Sequence, residues 1–186
     1  MMALTDVWAL VAAILLYSYV VRWNEGRSNL VELADPFFPL VPRYDTSRLV
    51  HLCLYASVVV FFWHWNDLNL HQVIWTFIAF AFARSVIILG HPFKGHHEMI
   101  PLQDPFVEWI TGGSGPPLRH DLAVSGHVGT LWGMGLLLPA WQSVFFGLAV
   151  VSAIALVSSR VHYTVDVILA PMVAWSCYTV VCSHTF

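Results

Sequence analysis

Apolar residues along this chain gather into six long runs, with short polar breaks between most of them and two long ones. A helix crosses a bilayer with about 20 mostly apolar residues. The runs predict spans over about Leu4–Val21, Leu49–Trp65, Leu70–Leu89, Leu122–Trp141, Val144–Ser158 and His162–Val181. The fifth is short for a crossing and fits a tilted helix or one with snorkelling flanks. The first long break, 22–48, holds Asp35-Pro36-Phe37-Phe38-Pro39-Leu40-Val41-Pro42. Three prolines within seven residues exclude a regular helix there. Its apolar side chains suit the headgroup zone. The second long break, 90–120, is rich in glycine, proline and histidine. Within it, Asp104–Thr111 predicts a short amphipathic helix with Pro105 in its first turn. No repeat or composition shift divides the chain, so 1–186 reads as one domain.

Composition sharpens this picture. Hydrophobic residues make up 58% of the chain and charged residues 10%, where a soluble domain carries about a quarter charged. The expected class is an all-α integral membrane protein with six transmembrane helices and two long same-side loops. Cys53, Cys177 and Cys182 all fall in apolar runs and suggest neither a disulfide framework nor a metal motif. A net charge of −3 and the lack of a basic helix argue against a nucleic-acid partner. No lysine or arginine precedes the first run, so it reads as a retained span rather than a cleaved signal.

Counting crossings supplies geometry. If both long loops lie on one face, the fourth and sixth spans both enter the membrane from that face. His127 lies about a turn into the fourth run and His162 begins the sixth, so the two belong at one depth. Both termini belong on the opposite face. Ionisable groups at membrane depth are costly and usually functional.

The residues at that depth are parts for breaking a phosphate ester. His162 and Asp166 are four apart and share a face on a helix. A carboxylate beside an imidazole fixes its tautomer, which makes the other nitrogen a better nucleophile or base. His127, from another helix, can protonate a leaving oxygen and then activate water or a lipid hydroxyl. Ser125 and the backbone around Gly126 can donate hydrogen bonds to phosphate oxygens near a helix N-terminus. Arg84, Arg119 and Arg160 can all reach the same zone, and the planar guanidinium suits phosphate.

Blander roles fit other residues. Asp121 reads as the N-cap of the fourth span, and Gly129 with Gly133 as a helix-packing pair. His51, His64 and His71 read as interhelical or interfacial groups. The nine tryptophans fit an interfacial belt. Gly95-His96-His97-Glu98, with His91 and His120, offers a metal reading without fixed ligand spacing.

The two strings resemble those of the type 2 phosphatidic acid phosphatase superfamily, above all its sphingomyelin-synthase-like branch. Asp121-Leu122-Ala123-Val124-Ser125-Gly126-His127-Val128 is similar to the branch's Ser-Gly-His-Thr string, with valine replacing threonine. Arg160-Val161-His162-Tyr163-Thr164-Val165-Asp166-Val167 is similar to its His-Tyr-Ser/Thr-x-Asp-Val string. Arg84, six residues, then His91-Pro92 is a degraded form of the superfamily's basic-residue and Arg-Pro motif. Ile100-Pro101-Leu102-Gln103-Asp104-Pro105 looks like a connecting loop of small bacterial members. The likeness covers about 84–171, the expected catalytic core. It departs from the pattern at Arg160, which lies closer to His162 than the classical arginine does, and the aromatic, arginine-rich signature of the animal synthases is missing.

The resemblance implies a six-helix fold and a phosphohistidine intermediate, without metal or cofactor. His162 is then the nucleophile, Asp166 orients it and His127 is the acid/base. The expected enzyme is a lipid phosphotransferase or phosphatase acting on a phospholipid or sphingolipid, with a lipid hydroxyl or water as acceptor. Its rivals are a metal-dependent membrane hydrolase using the loop histidines, and a non-enzymatic lipid or anion transporter. All eight lysines and arginines fall on the loop side or at the loop end of the third run. The positive-inside rule therefore favours a cytoplasmic site, whereas relatives commonly work on the outer or lumenal leaflet.

Overall fold

The computed structural model describes residues 4–102 and 119–184. They contain six α-helices: α1 Leu4–Glu25, α2 Ser47–Trp63, α3 Leu70–Gly90, α4 Gly126–Leu137, α5 Gln142–Ser158 and α6 Thr164–His184. Four stretches are long and apolar enough to cross a membrane: Leu4–Glu25, Leu70–Gly90, Pro139–Ser158 and Thr164–His184. The protein is thus a predominantly helical chain compatible with multiple membrane passes. The other two helices are shorter, with 17 residues in α2 and 12 in α4.

Local polar groups set the starts. Asp45 Oδ1 accepts the Ser47 amide (3.0 Å) and hydroxyl (2.7 Å) where α2 begins. Asn69 Oδ1 accepts the Gln72 amide at the start of α3, and Ser125 Oγ accepts the Val128 amide (3.4 Å) at the start of α4. Each satisfies an amide that has no intrahelical acceptor.

The fourth span departs from its expectation. Leu122–Val124 are apolar but not helical, and Ala123 has a left-handed backbone with φ of 82°. All three are almost fully buried in protein. Hydropathy cannot distinguish burial against protein from burial in lipid, so the run looked longer than its helix. At the other end, Pro139 disfavours helix at Leu138, and a single 3₁₀ turn, Pro139–Trp141, leads into α5.

The short α4 sits at the centre, packed on α5 and α6 and also touching α2 and α3, while α1 lies along α3. A side chain at Gly129 would collide with the Phe80 ring of α3, so glycine there permits the close approach. Gly133 makes only ordinary contact with Phe77. Large apolar side chains such as Leu15, Phe82, Ile154 and Met172 face outward, as lipid contact requires.

One small element lies outside the all-α expectation. β1 (Val31–Glu32) pairs in parallel with β2 (Phe93–Lys94), Val31 opposite Phe93. This ladder ties the two long connections together at one end of the bundle. The proline-rich segment contributes only the 3₁₀ turn Phe38–Leu40. The helix expected at Asp104–Thr111 lies outside the described residues.

Candidate active site

Helix α6 begins at Thr164, so His162 stands in the bend before the helix, not on its face. Its pairing with Asp166 survives through capping geometry. Asp166, in the first turn, reaches back so that Oδ2 accepts the Tyr163 amide (3.1 Å) and lies 3.3 Å from His162 Nδ1. This is the reach of a capping-box acid. Asp35, from the first loop, accepts the Thr164 amide and hydroxyl. His162 is 4% exposed and Asp166 fully buried. Asp166 Oδ1 has no hydrogen-bond partner among the described residues.

The Ser125 amide donates to the Asp166 carbonyl oxygen (3.1 Å). This bond docks the start of α4 on the start of α6. His127, one residue past Gly126, comes within electrostatic reach of His162, His51, Arg84 and Asp121. The amides of Gly126 and His127 belong to the first turn of α4 and have no intrahelical acceptors.

Arg84 closes the site from α3. Its Nε donates to the Val124 carbonyl (3.0 Å) and Nη2 to Asp121 Oδ1 (2.9 Å), with the Tyr17 ring 4.7 Å from Cζ. A Cβ on Gly126 would lie 2.6 Å from Arg84 Nη1. The guanidinium therefore rests on the Gly126 backbone. Asp121 is not the cap of α4, a role that Ser125 fills. It is the counter-ion of Arg84 and accepts the Tyr17 hydroxyl (2.6 Å). Burial pushes the Asp121 carboxyl up, but the Arg84 charge, the Tyr17 hydrogen bond and nearby His162 outweigh it and hold it below the usual carboxylate range.

His51, expected to be an interhelical or interfacial group, comes to lie beside His127. It is buried in the first turn of α2, with Nδ1 2.7 Å from the Ser47 carbonyl oxygen. Its ring centroid is 5.8 Å from that of His127, at 81°. A signal was present: the crossing count places His51 at the loop-side start of the second run, the depth of His127 and His162.

The other arginines are not brought in. Arg160 Nη1 and Nη2 donate to the carbonyls of Val157, Phe38 and Val41, and its Cζ lies 4.5 Å over the Phe38 ring. It fastens the first loop to the α5–α6 turn. The Arg119 side chain is exposed, and among the described residues its amide donates to Glu25 Oε1 (2.8 Å). Tyr163 braces the same loops: its hydroxyl donates to the Lys94 carbonyl (2.7 Å) and accepts the Leu33 amide (3.1 Å).

The loop histidines form a separate cluster with Glu32, not with His91, Glu98 or His120. Ligand atoms of Glu32, His96 and His97 lie within 4.8 Å of one another. His96 Nδ1 accepts the Glu98 amide (3.1 Å), so its Nε2 bears the proton of the neutral ring. A metal on Nε2 would require a proton on Nδ1, facing that same amide. His97 donates its amide (3.0 Å) and ring N–H (2.6 Å) to Glu32 Oε1, and with His96 so arranged the set fits a metal poorly.

No protein-family model, no curated protein and no solved structure matches this chain.

Proposed function

We propose that this chain is a six-crossing integral membrane enzyme that cleaves a lipid phosphate ester through a phosphohistidine on His162. The observation that carries the reading is the junction of two helix starts, where His162 Nδ1 meets Asp166 Oδ2 and Ser125 binds the Asp166 backbone. The likeness to the sphingomyelin-synthase-like branch supports the same chemistry. Both termini then lie on the face opposite the site, and α2 and α4 complete the crossings with their flanking turns.

In this mechanism Asp166 takes the Nδ1 proton of His162 in a hydrogen bond, leaving Nε2 with the lone pair. Nε2 attacks phosphorus as the bond to the lipid oxygen breaks, and His127 gives that oxygen its proton. Arg84 and the free amides of α4 face the growing negative charge on the phosphoryl oxygens. In the second half, His127 takes a proton from water or from a lipid hydroxyl. That oxygen attacks phosphorus, the P–N bond breaks and His162 is regenerated.

The test is single-turnover cleavage of a phospholipid labelled at phosphorus, in nanodiscs, with and without metal chelator. An acid-labile phosphoenzyme, released diglyceride or ceramide, and activity that survives chelation are expected. Lipid binding with no cleaved product would replace this reading with a transporter, and activity lost on chelation would replace it with a metal hydrolase.

A further inference from the structure

An open pocket of about 560 Å³ lies at the loop-side end of α1, lined by Arg22, Trp23, Gly26, Arg27, Ser28 and Asn29. That volume suits a small ligand, and none of these residues belongs to the candidate active site. Two guanidiniums in its wall lack a carboxylate partner among the described residues. Arg27 donates to neutral oxygens only, those of Asn29 (3.3 Å), Asn24 (3.4 Å) and Leu89 (3.4 Å), and its Cζ sits 4.8 Å over the Trp23 ring. Arg22 is exposed and has no hydrogen-bond or ion-pair partner among the described residues. Glu25, between them in sequence, is engaged elsewhere: its Oε1 accepts the Arg119 amide (2.8 Å) and the His120 amide (2.5 Å). Arg84, by contrast, carries Asp121 as its counter-ion.

The two charges stand at the level of a lipid headgroup. α1 is long and apolar enough to cross a membrane, and Arg22 and Trp23 fall in its last turn, where such residues meet the interface. Helix polarity alone favours a cation at Arg22, but it accounts for neither the pocket nor the second guanidinium. Below the pocket, Leu15, Tyr19 and Trp23 recur every fourth residue and all three are exposed. One stripe therefore runs along α1 up to the pocket. It gives an acyl chain a track that ends beneath the guanidiniums, and a free anion has no use for such a track.

We propose that this pocket binds an anionic phospholipid of the surrounding bilayer, its phosphodiester held by Arg22 and Arg27 and one acyl chain lying on the stripe of Leu15, Tyr19 and Trp23. The arginine fork suits phosphate oxygens, and Ser28 and Asn29 add side-chain donors. A headgroup with net negative charge binds in preference to phosphatidylcholine, whose ammonium already neutralises its phosphate. Such a site needs α1 to cross the membrane and needs no lipid cleavage. The bound lipid braces the end of α1 whose Asn24 and Glu25 hold His120 and Arg119, in the segment leading to α4.

The test titrates the full chain in detergent micelles with phosphatidylglycerol, phosphatidylcholine or inorganic phosphate and counts bound molecules by native mass spectrometry. The wild type should hold phosphatidylglycerol about 10-fold more tightly than phosphatidylcholine, and an equal concentration of inorganic phosphate should not displace it. Arg22→Gln should lose most of that preference. Arg48→Gln, which removes an exposed arginine outside the pocket, should keep it. Equal losses in the two variants would mean attraction to surface charge alone and overturn the site, as would a wild type that holds both lipids equally. Displacement by inorganic phosphate would assign a free anion and overturn the lipid. In parallel, phosphatidylglycerol with a photoreactive acyl chain should label the wild type between Leu15 and Asn29. Labels confined to other segments overturn the site without any variant. A chain labelled there that cleaves no lipid would sink the enzymatic reading and leave this one standing.

Discussion

The Ser125 amide donates a 3.1 Å hydrogen bond to the Asp166 carbonyl oxygen. One backbone bond therefore joins the two strings to which the proposed chemistry is assigned, 41 residues apart in sequence. It fixes the start of α4 on the start of α6, and with it the position of His127 relative to His162.

If His162 is the nucleophile, His162→Ala should abolish turnover and phosphoenzyme together, by about 1,000-fold or more. His127→Ala should instead slow poor leaving groups more than good ones. Rates with a series of lipid phosphoesters check both; a near wild-type rate in His162→Ala ends the assignment.

Asp166 combines two roles, and substitutions separate them. Asp166→Asn keeps an oxygen for the Tyr163 amide but loses the charge facing His162 Nδ1. Its rate should fall about 100-fold or more with little change in melting temperature. Asp166→Ala also loses the cap and should cost roughly 1–2 kcal/mol of stability. Activity and thermal unfolding in the same detergent measure the two effects.

Gly126 is a steric partner of Arg84. A Cβ there would lie 2.6 Å from Nη1, and Val124 and Asp121 hold the guanidinium against retreat. Gly126→Ala should destabilise the fold by about 1–3 kcal/mol and raise KM for lipid. Removing the arginine as Arg84→Met leaves the half-buried Asp121 carboxylate without its counter-ion and should cost about 2–3 kcal/mol. Chemical unfolding with a KM measurement distinguishes them.

Acid should loosen the pairing of the two loops. Hydrogen bonds from the His97 ring and amide hold Glu32 below the ordinary carboxylate range. Burial, then the neighbouring His97, hold His96 below the ordinary histidine range. Both folded values are depressed, so each contribution is complete above the unfolded value and is lost as pH falls through the folded one. His96 responds first, from about pH 6.5 downward, and Glu32 at lower pH. Hydrogen exchange at the Val31 amide, which donates to the Pro92 carbonyl, should accelerate between pH 7 and pH 5 beyond the intrinsic rate. Flat protection across that range would count against the clasp.

Much of this molecule is legible in one dimension. Length and apolarity locate α1, α3, α5 and α6 within a few residues, because a membrane-crossing helix satisfies its own backbone and only needs apolar side chains. The same logic brings the two long loops to one side, where β1 and β2 meet. The pairing of His162 with Asp166 was also readable, although for the wrong local reason: a helix face was expected and a capping turn makes it.

What required the tertiary structure is whatever depends on partners remote in sequence. Leu122–Val124 look like membrane helix but pack as a buried turn, since apolarity does not say what covers it. Arg84, Arg119 and Arg160 are one residue type at one depth. Only packing assigns Arg84 to Gly126, Arg160 to the carbonyls of the first loop and Arg119 to the surface. His51 lies beside His127 because α2 packs on α4. Composition and spacing thus determine which groups reach a given depth, while the contacts between helices decide which of them touch. Hydrophobic burial sets the first without direction, and directional hydrogen bonds and close packing set the second.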